Sequence, residues 1–131
     1  MKQLLIVVAI FIFSPSVKAQ NSIPKSGMPE GMKQYYFVML IKGNNRTQDS
    51  ATVAKIQEGH LANITRLANE GKCIIAGPFG DDTAWRGFLV LDVATEDEAK
   101  AEVEKDPAII SGRLAYEIHP WWTQKRTLTF K

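Results

Sequence analysis

A chain of 131 residues, 45% hydrophobic and 23% charged, has enough apolar material for one domain with a real core. Its 16 basic and 14 acidic residues leave a formal net charge of +2 with no basic patch, which argues against a nucleic-acid binder. A single cysteine, Cys73, excludes an internal disulfide.

The first 19 residues carry the pattern of a secretory signal. Lys2 supplies the positive start, Leu4–Phe13 the apolar region, and Val17-Lys18-Ala19 a small-residue cleavage site. The apolar run is too short to span a bilayer, and no cysteine follows the cut to take a lipid anchor. Cleavage after Ala19 removes Lys2 and Lys18, leaving 14 basic against the 14 acidic residues. The expectation is an exported protein, periplasmic or extracellular, free of the membrane once the signal is gone. Residues 20–33, punctuated by Pro24, Gly27, Pro29 and Gly31, read as a flexible lead-in to a domain over residues 34–122.

Tyr35–Ile41 is a continuous apolar run rich in β-formers and reads as a strand buried on both faces. Gly43-Asn44-Asn45 breaks it. Asp49–Gly71 follows with Val53, Ile56, Ile64 and Leu67 at steps of three and four, and Leu61 beside them, a helical stripe. Asp49 or Ser50 caps that helix and Gly71 stops it. Cys73–Ala76 and Trp85–Val93 read as strands close enough to pair as a hairpin. Thr95-Glu96-Asp97-Glu98 is a capping box for a second helix reaching about Lys105. Pro107–Ser111 reads as a short helical turn closed by Gly112, and Leu114–Trp122 as the last strand. The tail, residues 123–131, holds a possible edge strand at Thr127–Phe130.

The order β-α-β-β-α-β is the ferredoxin-like α+β pattern with an antiparallel sheet. Two helices cover one face of such a sheet, yet the first and third strands are apolar on both. A second copy packed sheet to sheet is the expected cover, which predicts a homodimer.

One member of the helical stripe is polar: His60, between Ile56 and Ile64. A buried imidazole needs a partner, because leaving it unpaired costs roughly 1–3 kcal/mol. It is either a core histidine bonded to a backbone carbonyl or one half of a proton-transfer pair. Asp106 is the candidate carboxylate, although Asp before Pro is also an ordinary helix cap. The two roles are compatible if one oxygen caps and the other faces a pocket. His119 alternates with Glu117 on the last strand, either lining the same pocket or meeting solvent at a sheet edge. Arg86 and the Asp81-Asp82 turn are candidates for handling a substrate's charge, or are simply solvated. No tight spacing such as HxxxH supports a metal site, and the Gly77–Gly80 segment lacks a phosphate-loop motif. Cys73, without a nearby base, reads as an inert core thiol.

Together these segments resemble the YCII-related domain, a family of small dimeric α/β-barrel proteins. The likeness covers about Lys33–Trp122. It rests on Gly59-His60-Leu61, Glu70-Gly71-Lys72 followed by Ala76-Gly77-Pro78-Phe79, Arg86-Gly87-Phe88 with Val90-Leu91-Asp92, Asp106-Pro107-Ala108, and Gly112-Arg113-Leu114 leading into Tyr116-Glu117 and Pro120-Trp121-Trp122. The resemblance implies a ferredoxin-like fold paired into a dimeric barrel, with a His–Asp pair in a pocket that maps onto His60 and Asp106. It also implies proton-transfer or elimination chemistry on small cyclic or phenolic compounds without a bound cofactor. The export signal and the tail after Trp122 depart from the usual cytoplasmic form, and His119 does not carry over. The resulting expectation is a cofactor-free acid–base enzyme. The alternatives are a ligand-binding accessory protein of the envelope and a purely structural dimer whose His–Asp pair is a packing device.

Overall fold

The structure, a computed structural model, describes residues 27–127. The expected signal segment and residues 128–130 of the expected tail strand lie outside that range. Seven elements follow in order: β1 (Met32–Lys42), α1 (Ser50–Asn69), β2 (Cys73–Pro78), β3 (Trp85–Leu91), α2 (Glu96–Val103), α3 (Pro107–Ile110) and β4 (Leu114–Gln124). The four strands form one antiparallel sheet in the order β2-β3-β1-β4. This is the ferredoxin-like α+β architecture the element order predicts.

β1 starts at Met32, inside the segment expected to be a lead-in, because β4 is longer than expected and supplies partners. Met32 and Lys33 stand opposite Gln124 and Thr123. Thr127 lies in neither strand nor helix. The double-sided apolarity of β1 sorts by alternation. Tyr36, Val38 and Leu40 turn to the helices and are buried; Phe37 and Met39 turn to the other face and are only partly covered. The core between sheet and helices gathers Val38, Leu40, Leu89 and Leu91 from the strands with Leu67, Ala99 and Val103 from the helices.

Cap chemistry sets the helix ends. The Asp49 carboxylate accepts from the Thr52 amide at 2.8 Å and starts α1. At its end Gly71 takes φ +69, with Gly71 N–H donating to the Ala68 carbonyl and Lys72 N–H to that of Leu67, a Schellman closure. The Thr95 hydroxyl caps α2 through the Glu98 amide at 3.1 Å. The Glu98 carboxylate reaches the amide of Ala94, not that of Thr95 as a strict capping box has it.

The apolar stripe read for α1 is its covered face, with Val53, Ile56 and Ile64 partly buried. His60, Asn63 and Leu67 are buried, while Leu61 is 53% exposed. Asn63 tolerates burial because its Oδ1 accepts from Arg66 Nη2 at 2.9 Å. Arg66 in turn belongs to a cluster on Glu102, a buried α2 carboxylate that also accepts from Lys72 and Lys105. Burial by itself drives the Glu102 pKa up, but hydrogen bonds from these three cations outweigh it and hold the group at about 2.

The face of the sheet away from the helices carries a run of aromatic rings. Phe37 stacks on Phe88 with centroids 5.2 Å apart, Phe88 meets Phe79 at 6.0 Å, and Trp121 lies 6.5 Å from Phe37 and 6.2 Å from Tyr35. Among the described residues no helix lies over these rings.

Candidate active site

Asp106 ends the α2–α3 connection with extended backbone, φ −72 and ψ 124, and Pro107 opens α3 behind it. Its Oδ1 accepts from the Ala108 amide at 2.8 Å, the ordinary cap bond. Its Oδ2 lies 2.7 Å from His60 Nδ1. One carboxylate therefore starts a helix and grips an imidazole, and both residues are nearly buried, at 4% and 9% exposure. An ionised carboxylate only accepts, so Nδ1 carries the hydrogen. In the neutral ring Nε2 then keeps its lone pair, and it has no hydrogen-bond partner among the described residues.

The pair forms because α1 and α3 approach closely at Gly59. A Cβ built on Gly59 would lie 2.7 Å from Pro107 Cγ, nearer than a side-chain carbon tolerates. A glycine inside a helix costs roughly 1 kcal/mol against alanine, so this one has a packing reason.

His60 borders a cavity of about 370 Å³ between α1 and the β2–β3–β1 side of the sheet. That volume is in the range of small-molecule sites, roughly 300–1,000 Å³. Leu40, Ile56 and Ile64 contribute apolar wall. Three arginines line the same cavity: Arg46, Arg86 and Arg113.

Of the sequence candidates, the fold brings His60, Asp106 and Arg86 to this region. Arg86 also holds Asp82 through Nη1 at 2.7 Å. His119 does not join them. It stands opposite Phe37 on the sheet face away from the helices, its side chain 62% exposed and 3.6 Å from Glu117. Alternation along β4 sends it there, so the solvent-facing option is the one observed. Arg46 and Arg113 are absent from the sequence candidates. They lie in a loop and a turn 67 residues apart, and no local pattern joins them. The Cys73 thiol is buried, which pushes its pKa up, and it donates weakly to the Ile75 carbonyl, an unreactive setting. Among the described residues, no three His, Cys, Asp or Glu side chains group as a metal site.

A ferredoxin-like domain with a buried His–Asp pair at a cavity is thus the class that fold and site define. The chain belongs to the YCII-related domain family, whose model matches residues 35–122. No curated protein matches it. Among solved structures it is similar to 5-chloro-2-hydroxyhydroquinone dehydrochlorinase from Burkholderia phenoliruptrix, in complex with 2,5-dihydroxybenzoquinone. The identity is 24% and the TM-score 0.49, over 66% of this chain and 92% of that one.

Proposed function

We propose that this chain is an exported, cofactor-free enzyme that moves a proton on a small cyclic or phenolic molecule, with His60 as the acid–base group and Asp106 as its positioning carboxylate. The observation that carries the proposal is the 2.7 Å His60–Asp106 bond at the wall of a 370 Å³ cavity, with Nε2 left unpartnered. Membership of the YCII-related family supports the same reading.

In this mechanism Nε2 takes a proton from a carbon or hydroxyl of the substrate. Asp106 Oδ2 fixes the tautomer and faces the imidazolium that forms, so the new positive charge meets an existing negative one. The electron pair freed on the substrate either makes a double bond while a neighbouring leaving group departs, or shifts the double bond so that the proton returns at another atom. The first outcome is an elimination and the second an isomerisation. The apolar wall from Leu40, Ile56 and Ile64 holds the substrate's ring and reduces water around the pair.

The experiment is a screen of phenolic and lactone-type substrates with wild type and His60→Ala. Turnover by wild type, lost by orders of magnitude in the variant, supports the mechanism; equal turnover by both removes His60 from it. A second reading, a non-enzymatic small-ligand-binding protein of the envelope, draws support from the cap bond at Ala108, which gives Asp106 a structural duty of its own. Saturable ligand binding that survives in His60→Ala without any turnover favours that reading. Export is part of the proposal and rests on residues 1–19. Amino-terminal sequencing of secreted protein should find Gln20 first, and full-length protein retained in the cytoplasm counts against it. The partly covered aromatic face supports a homodimer packed sheet to sheet.

A further inference from the structure

Arg46 and Arg113 share a feature that Arg66 and Arg86 lack. Arg66 is paired with Glu70 and Glu102, and Arg86 with Asp82. Arg46 and Arg113 line the cavity and have no carboxylate within ion-pair distance among the described residues. Each is instead held by a neutral acceptor. Arg46 Nη1 donates to the Arg113 carbonyl at 3.0 Å, and Arg113 Nη1 donates to Gln48 Oε1 at 3.3 Å. Such bonds fix a guanidinium in place without cancelling its charge.

The backbone that carries them is fixed as well. Gly43 N–H donates to the Arg113 carbonyl and Asn45 N–H to the Gly112 carbonyl, both at 3.0 Å. The Asn45 side chain donates to the Ser111 carbonyl at 2.9 Å. The approach is so close that a Cβ on Gly43 would overlap the Gly112 carbonyl oxygen. Gly112 itself, at φ +69, makes the turn that presents its carbonyl. The loop after β1 is thus stitched to the turn before β4, and the stitch brings two arginines to one side of the cavity. Arg86 adds a third guanidinium, partly offset by the exposed Asp82.

Like charges held together repel, and this repulsion registers at Arg46. Although Arg46 is exposed, its pKa is pushed down, first by the desolvation its neighbours impose and then by the fields of Arg113 and Arg86, with Asp82 pulling the other way. A guanidinium stays protonated nonetheless, so the charge persists. An arginine pair that is positioned, free of a direct carboxylate partner among the described residues and set beside an apolar wall is organised for a ligand with an anionic head.

We infer that the cavity takes a small organic acid, a carboxylate or ring oxyanion on a compact apolar body, with the anionic head held by Arg46 and Arg113 and the body lying toward His60. The inference deepens the proposed function by naming the substrate's charge class, and it rests on that reading only for the claim that the ligand is turned over. In a catalytic setting the same arginines also stabilise the negative charge that appears when Nε2 removes a proton.

The test is isothermal titration of the whole protein with benzoate and salicylate, each against its neutral amide, benzamide or salicylamide. Charge-assisted bonds predict a preference for the acid of about tenfold or more at low salt, shrinking as salt rises. Arg46→Gln and Arg113→Gln each remove much of that preference while leaving amide binding in place. Arg46→Lys keeps the charge and retains part of it, which separates charge from a general disturbance of the loop. Acids and amides bound alike by wild type overturn the inference. So does an acid preference untouched in both glutamine variants, and so does a lack of saturable binding by either acid at millimolar concentration. Acid-selective binding with no turnover of any ring substrate leaves the anion subsite standing and removes the enzymatic reading instead.

Discussion

Replacing Gly59 by alanine sets two opposed effects against each other at the point where the candidate site is assembled. Gly59 lies within α1, where alanine is favoured over glycine by about 1 kcal/mol. Against this, the added methyl would lie 2.7 Å from Pro107 Cγ and 3.2 Å from Pro107 Cβ. Ordinary carbon contacts fall at roughly 3.5–4.0 Å, so the overlap is on the order of 1 Å. A proline ring moves only by changing its pucker and cannot swing aside. Overpacking of this kind costs typically 1–3 kcal/mol. The expected net is a loss of about 1 kcal/mol, seen as a lower urea midpoint at unchanged slope. The relief is a parting of α1 from α3, which lengthens the His60–Asp106 bond. The double mutant isolates the contact. In a Pro107→Ala background the contact with Cγ is gone and only the looser one with Cβ at 3.2 Å remains, so Gly59→Ala should then be neutral to stabilising by up to about 1 kcal/mol, giving a coupling of about 1–2 kcal/mol between the two sites. Equal effects of Gly59→Ala in both backgrounds would falsify the account, because the glycine would then owe nothing to Pro107.

Three further outcomes are expected. Asp106→Asn retains an oxygen for the Ala108 amide, so stability should change by less than about 1 kcal/mol, while the ring loses its enforced tautomer and turnover falls by roughly 10²–10⁴-fold; full turnover in the variant would show that the carboxylate charge is idle. Glu102 is held at about 2 in the fold against an ordinary value of 4.5, so its stabilisation is complete above about pH 4.5 and drains away as pH falls toward 2. Acid titration of unfolding should show this as a loss on the order of 2–3 kcal/mol that Glu102→Gln largely abolishes, and an identical acid limb in the variant would contradict it. Phe37→Asp puts a charge in the middle of the aromatic face, and sedimentation should show wild-type dimers becoming monomers; a monomeric wild type removes the dimer from the proposal.

Element order was legible because each boundary has a local chemical cause. Asp49 and Thr95 offer oxygens to free amides, Gly71 and Gly112 accept a left-handed turn, and Pro107 fits a first helical position. The His60–Asp106 pair was half legible. Periodicity placed His60 on the inward face and the Asp-Pro dipeptide marked a cap, but only the tertiary structure decides that the second carboxylate oxygen meets the ring. Leu61, read as flanking the stripe, is exposed while Asn63 is buried, because α3 and the Glu102 cluster, not hydrophobicity alone, decide which side of α1 is covered. Two of the three cavity arginines were not among the candidates, for a different reason. Arg46 and Arg113 become neighbours through the antiparallel pairing that sets Lys42 opposite Leu114, and no stretch of either loop announces it.

The stitching of residues 43–45 to residues 111–113 bears on how guests come and go. A segment sewn to the framework by its own amides does not flap over the opening, so that side of the mouth keeps a fixed outline. On the proposed function, entry past residues 43–45 and 111–113 is a matter of diffusion and attraction, and selectivity on that side comes from walls and charges instead of a closing door.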